Sequence, residues 1–258
     1  VTLFRQFFTV QLRGLLIWLA VGVALALAMT RSAAPFIDSN SIGSLPPSLL
    51  ALLGDLAGMD PVDQYLVVAL GKGTMLVPVL YGALLALSVV TREVDRRTVD
   101  FLLSLPVGRT RLLGARVAVL LVNLTLMVAA VWAAFRLDMA AQGYQGSWGH
   151  FGAAMVNLWL LAVAFSCVIL AASMWVDDYS MGVKLFLGAV AFAYLMEFVL
   201  KGATVSRAGR VLSPFSYVDV ARVLRTGAFA ADALVLALAA AAGLAISFWA
   251  FKRKQFPA

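Results

Sequence analysis

The chain has 258 residues, of which 63% are hydrophobic and 13% charged, with a formal net charge of +7 and a mean hydropathy of +0.95. A soluble domain carries about 25% charged residues, and a water-soluble body this small has no room to hide so much apolar surface. Composition therefore excludes an ordinary soluble enzyme, and the basic excess points to loops facing a cytoplasm rather than to nucleic acid. A lone cysteine (Cys167) and a lone histidine (His150) leave no disulfide framework within the chain and little material for a metal site.

In chain order, Leu3–Arg13 reads as an amphipathic helix, with Phe4, Phe7, Phe8 and Leu12 in the headgroup region and Arg5, Gln11 and Arg13 toward water. The alternative is a plain extension of the first span. That first stretch follows Arg5 and Arg13 without a clear small-residue cleavage site, so a retained span is expected. A helix needs about 20 mostly apolar residues to cross the hydrocarbon. Six stretches meet or approach that length, at residues 14–32, 66–90, 113–135, 150–175, 181–201 and 230–251. None alternates polar with apolar residues as a membrane strand would. The expected fold is an all-α, polytopic bundle of six helices forming one transmembrane domain over 1–258.

With the N-terminus inside, the inner segments hold twelve basic residues and the outer ones seven, and Lys72 in the second span completes the 20. This bias, and the even number of spans, place both termini in the cytoplasm. Two outer segments are long. In 31–64, Pro46 and Pro47 precede an apolar helix beginning near Ser48. In 201–226, Ser213-Pro214-Phe215-Ser216-Tyr217 precedes a short helix over Val218–Leu224. Both are too short for a core of their own.

The inner segment 91–112 is the most informative. A charged first half (Arg92, Glu93, Asp95, Arg96, Arg97) meets the apolar Phe101-Leu102-Leu103, and Pro106 with Gly108 breaks the helix before Arg109 and Arg111. Such a segment makes a short surface helix whose Phe101, Leu102 and Leu105 fit a groove on another protein, while its charges fix the register. A solvated basic loop that only sets topology fits the same pattern.

The run Glu93, Thr98, Leu102, Leu103, Pro106, Arg109 resembles the cytoplasmic loop of ABC-2 type permeases, the membrane subunits of ATP-binding-cassette exporters. Their pattern is a Glu, then Gly-Thr, then Leu-Leu, then a Pro followed shortly by Arg. Arg97 stands where that pattern has its Gly. Ser213-Pro214-Phe215 with Tyr217, and the Lys252-Arg253-Lys254 tail, are similar to the segments around the last helix of that family. The resemblance implies that Glu93, Thr98, Phe101, Leu102, Leu103, Pro106 and Arg109 belong to a coupling helix seated in a separate cassette ATPase. It further implies that ATP and Mg are bound by that partner, with no cofactor in this chain. Two permease subunits, as homodimer or related heterodimer, would stand over two ATPases. The implied location is a prokaryotic inner membrane, with export as the direction.

The remaining polar residues carry open readings. Asp177-Asp178 is either a turn cap or a second contact with the ATPase. Lys72 is a snorkelling anchor or a substrate contact, and Glu197–Lys201 is a favoured i, i+4 pair near a helix end. Arg116 either steadies the 91–112 segment or meets anionic lipid. Asn123 and Thr125 are suited to hydrogen bonds with a neighbouring span, and the stripe Ala233, Ala237, Ala241, Ala245 to close helix packing, either inside the bundle or at a subunit interface. Gly71-Lys72-Gly73-Thr74 has the letters of a phosphate loop in the wrong order, so no nucleotide site is expected here. An intramembrane lipid-modifying enzyme would need a polar constellation at membrane depth, which the centres of these spans lack. A scaffold or assembly factor is the other alternative. Aromatic and aliphatic spans suit a lipid-like, peptide or drug cargo better than a small ion.

Overall fold

The computed structural model describes residues 2–39, 56, 58–89, 108–176, 178–202 and 213–253. Among these the regular structure is helical: α1 Thr2–Arg31, α2 Ala34–Asp38, α3 Pro61–Ala69, a π-helical segment Leu70–Thr74, α4 Leu76–Ser88, α5 Arg109–Ala141, α6 Trp148–Ser173, α7 Tyr179–Gly202, a 3₁₀ turn Pro214–Tyr217, α8 Val220–Thr226 and α9 Ala230–Arg253. Five of the described helices, α1, α5, α6, α7 and α9, are long and apolar enough to cross a membrane. The fold is thus a polytopic all-α bundle.

The separate interfacial helix expected over Leu3–Arg13 is not found. That stretch is the first part of one continuous 30-residue helix, α1. Its sequence has no proline, and Gly14 sits in open space, so nothing interrupts the backbone ladder. The aromatic cluster still forms, with Phe4 stacked on Phe8 at 5.9 Å.

The second expected span, 66–90, is likewise not one helix. It is built from pieces of nine, five and thirteen residues, α3, the π segment and α4. The cause is local. Gly73 takes φ +115°, a conformation that side-chain-bearing residues avoid. Pro78 has no N–H to offer the Thr74 carbonyl one turn back. The Met75 N–H reaches instead to the Leu70 carbonyl at 3.1 Å, five residues back. The three pieces together amount to roughly 40 Å at about 1.5 Å per residue.

α6 forms the centre, packed against α4, α5, α8 and α9, while α1 lies along α5. The α6–α9 seam is set by Gly243. A Cβ there would lie 2.7 Å from the Cys167 carbonyl carbon, so only glycine permits the observed separation. The inward face of α9 is Leu236, Ala240, Gly243, Ser247 and Ala250. Of the two readings of the alanine stripe, packing inside the bundle is not found: Ala237, Ala241 and Ala245 are exposed and Ala233 is half-buried. A single glycine against backbone draws two helices closer than a row of methyl groups can.

Contacts define two faces of the bundle. The far face is closed by polar bonds. Asp138, buried on α5, accepts from Thr30 Oγ1 at 2.5 Å and Gln142 Nε2 at 2.8 Å and pairs with Arg31 at 2.7 Å. Asp63 at the start of α3 accepts from the Ser147 N–H (2.9 Å) and hydroxyl (2.7 Å) just before α6. His150 Nδ1 lies 2.8 Å from the Leu224 carbonyl of α8. Between α5 and α6, Tyr144 donates to Asp38 at 3.1 Å; desolvation, then that carboxylate, raise its phenol above the ordinary value. The near face carries the N-terminal part of α1, the end of α4 and the start of α5.

Candidate coupling site at the near face

The residues expected to couple, Glu93, Thr98, Phe101, Leu102, Leu103 and Pro106, lie outside the described residues, as does Asp177. The structure describes both roots of their segment: Val89 at the end of α4 and Gly108 before α5. Gly108 is extended (φ −61°, ψ 138°), and its carbonyl accepts from the Arg111 and Leu112 N–H groups at 2.9 and 3.1 Å. Arg109 opens α5. Leu112 and Leu113 are buried one turn on, which anchors this end of the helix in the bundle.

Arg116 joins the two roots. It is 7% exposed, and its guanidinium donates to the Val89 carbonyl. That carbonyl belongs to the last turn of a helix, where no intrahelical donor exists and the helix dipole favours a cation. The same guanidinium lies 4.6 Å from the centroid of the Phe7 ring, adding a cation–π contact. As to the two readings of Arg116, both of these contacts are with protein, at the root of the 91–112 segment and at Phe7. One side chain links α5, the end of α4 and the first turns of α1.

Asp178 lies on the same face. It caps α7, accepting from the Met181 N–H at 3.1 Å. Next along, Gly182 is so close to α4 that a Cβ there would stand 2.9 Å from Leu87 Cδ1. The start of α7 is thereby placed against the root of the 91–112 segment. The geometry gives Asp178 a cap and also a place beside that root.

Within the bundle, Asn123 Nδ2 donates to Gln11 at 3.3 Å and Trp159 donates to Thr125 at 3.1 Å, so both residues bond across helices as expected. Glu197 is 5% exposed; the side chains of Lys72 and Lys201 are outside the described set. Ser213–Tyr217 forms a wedge between α6 and α7. Phe215, 1% exposed, meets Phe165 at 5.3 Å and Tyr194 at 5.4 Å between ring centroids. Ser213 donates to the Ala193 carbonyl at 3.1 Å, and Asn157 Nδ2 donates to the Tyr217 carbonyl at 2.8 Å. The short helix after it runs over Val220–Thr226 and ends at Gly227 with φ +68°.

Sequence reading passed over Asp138, Asp63 and the Thr30–Gln142 partners. An acidic residue so close to an apolar run is itself a signal, but a third span over 113–135 puts Asp138 in a loop.

The model of a family described as ABC-2 family transporter protein matches residues 13–192, well over half of the chain. No curated protein matches it. The matched region contains both roots, the intervening segment and the Asp177-Asp178 turn, and ends before the Ser213–Tyr217 wedge. Taken with the apolar helical bundle, this makes the chain a multi-pass membrane protein of the ABC-2 transporter family, the permease part of an ABC transporter.

Proposed function

We propose that this permease is driven by a separate cassette ATPase that docks on segment 91–112, and that it exports its cargo from a prokaryotic cell across the inner membrane, with both termini cytoplasmic. The observation that carries the reading is the Arg116 clamp. A push on the segment reaches α4 through Val89 and α5 through Gly108 together, because one guanidinium ties the two roots. Rigid-body movement of a docked partner is then delivered to two membrane segments rather than dissipated in a loop.

In this reading Glu93 and Thr98 set the register of the coupling helix, and Phe101, Leu102 and Leu103 fill the groove of the ATPase. Pro106 ends the helix and Arg109 steadies the return. Asp177 and Asp178 make a second contact from the α6–α7 turn. ATP and Mg are held by the ATPase, and two permeases stand side by side over two ATPases. The broken second segment makes the sixth crossing, which brings the C-terminus back to the near face.

The test is co-purification with a cassette ATPase, reading ATPase association and permease-stimulated hydrolysis in nanodiscs. Leu102→Asp buries a charge in the docking groove and is expected to lower association at least about 10-fold, a cost of about 1.4 kcal/mol or more. Glu93→Ala is expected to lower stimulated hydrolysis with insertion unchanged. Full association and stimulation in both variants would refute the assignment.

A further inference from the structure

We infer that Leu70–Thr74 is a hinge, dividing the second membrane segment into a fixed half, α3, and a swinging half, α4. The inference rests on the coupling reading, since α4 is the half that ends at a root of segment 91–112.

The two halves are held by different kinds of contact. Every residue of α3 from Val62 to Ala69 is buried. The helix is tied at the far face by the Asp63–Ser147 bonds and by Tyr65, whose hydroxyl donates to the Met29 carbonyl of α1. Gly146 presses against it as well, its Cβ position 3.1 Å from Val62 Cγ1. Among the described residues α4 is held by apolar packing instead, Gly82 lying against Ser166 of α6 and Leu124 of α5, and its near-face end carries the Val89 carbonyl that Arg116 holds.

The joint between them has the properties of a pivot. At Gly71 and Gly73 a Cβ would meet nothing within 4 Å, so the backbone has room to turn. Gly73 already sits at φ +115°. The bonds that meet the joint are partly made by side chains. The Met75 N–H goes to Leu70, the Thr74 hydroxyl to the Ala69 carbonyl at 2.9 Å, and the Tyr194 hydroxyl of α7 to the Gly71 carbonyl at 2.6 Å. Irregular backbone at membrane depth persists only where protein satisfies it; Tyr194 does so with a bond that can be made or released as α4 tilts. As a lever of thirteen residues, α4 is about 20 Å long, so a tilt of about 10° moves its near end by about 3.5 Å. That is enough to change its packing against Gly182 while α3 stays in place.

The experiment uses the complete permease–ATPase complex in nanodiscs, with Cys167→Ala as background. One cysteine pair lies below the joint, Leu87→Cys with Gly182→Cys, and one above it, Val62→Cys with Gly146→Cys. Mercury cross-linking is measured with and without ATP plus vanadate. The lower pair is expected to change about fivefold or more, the low end of ordinary coupling between sites, with the upper pair constant. Gly73→Ala, which disfavours the pivot conformation, is expected to abolish the change while ATPase association persists. Tyr194→Phe, which keeps the ring but frees the Gly71 carbonyl, is expected to shift the lower pair before any ATP is added; it carries the test if Gly73→Ala does not fold. Both pairs changing together, neither changing in a complex that hydrolyses ATP, or a full response in both variants would overturn the hinge. A permease that binds no ATPase at all overturns the coupling reading instead.

Discussion

Gly243→Ala tests the seam on which the bundle's centre depends. The added methyl carbon would stand 2.7 Å from the Cys167 carbonyl carbon, 2.8 Å from its oxygen and 2.9 Å from the Val168 nitrogen. Carbon atoms prefer about 3.5–4.0 Å, and all three neighbours are backbone, which no rotamer change can move. α9 must therefore back away from α6 by about 1 Å, and a gap of that size forfeits about a quarter to a half of each dispersion contact. Overpacking of this kind costs about 1–3 kcal/mol, against about 0.5–1 kcal/mol that alanine gains over glycine in a helix.

The control is Gly188→Ala on α7, where a Cβ meets nothing within 4 Å and only the gain applies. At about 2–4 °C per kcal/mol for a chain of this size, Gly243→Ala should melt several degrees below Gly188→Ala. The measurement is thermal unfolding of detergent-solubilised protein followed by fluorescence size-exclusion chromatography. Gly22→Ala should fall between the two, because its 2.7 Å neighbour is the flexible end of Met127. A Gly243→Ala protein as stable as Gly188→Ala would refute the reasoning that backbone contact sets this seam.

Two further predictions follow from the polar ties. Arg116→Met keeps most of the stem's bulk but removes the donor to Val89 and the charge over Phe7; hydrogen bonds to charged groups contribute about 1.5–3 kcal/mol, so stability should fall within that range. Permease-stimulated ATP hydrolysis should fall with it, read in the same nanodisc assay, and Arg116→Lys should restore only part because it lacks the planar fork. Asp138→Ala removes the carboxylate acceptor shared by Thr30 and Gln142, which keep only the Leu27 and Thr30 carbonyls, and unfolding should be easier by about 1–3 kcal/mol. Arg31 adds little to that figure, being 72% exposed; Arg31→Ala alone should therefore be nearly silent in the same melt.

The helical, membrane-spanning character was plain from the apolar runs, and the family from Glu93, Leu102-Leu103, Pro106 and Arg109. What escaped was contact chemistry. The break at Gly71–Thr74 lies inside an unbroken apolar run, where hydropathy cannot register a change of hydrogen-bond partner. The alanine stripe repeats every four residues and so mimics a packing face, yet the seam turns on one glycine whose role depends on what stands opposite. Arg116 had two readings because its partner, the Val89 carbonyl, is 27 residues away in the chain. The first helix runs back through Leu3–Arg13, where charges suggest an edge, because a helix continues wherever its backbone ladder is unopposed.

The length of α1 has a consequence for the lipid around it. From Arg13 to Arg31 is roughly 27 Å of helix at about 1.5 Å per residue, close to the thickness of a bilayer's oil layer. These two arginines work as a gauge. A markedly thicker membrane would pull one of them into oil unless the helix straightened or the lipid thinned around it. Because α1 lies packed along α5, any adjustment of tilt must carry α5 along.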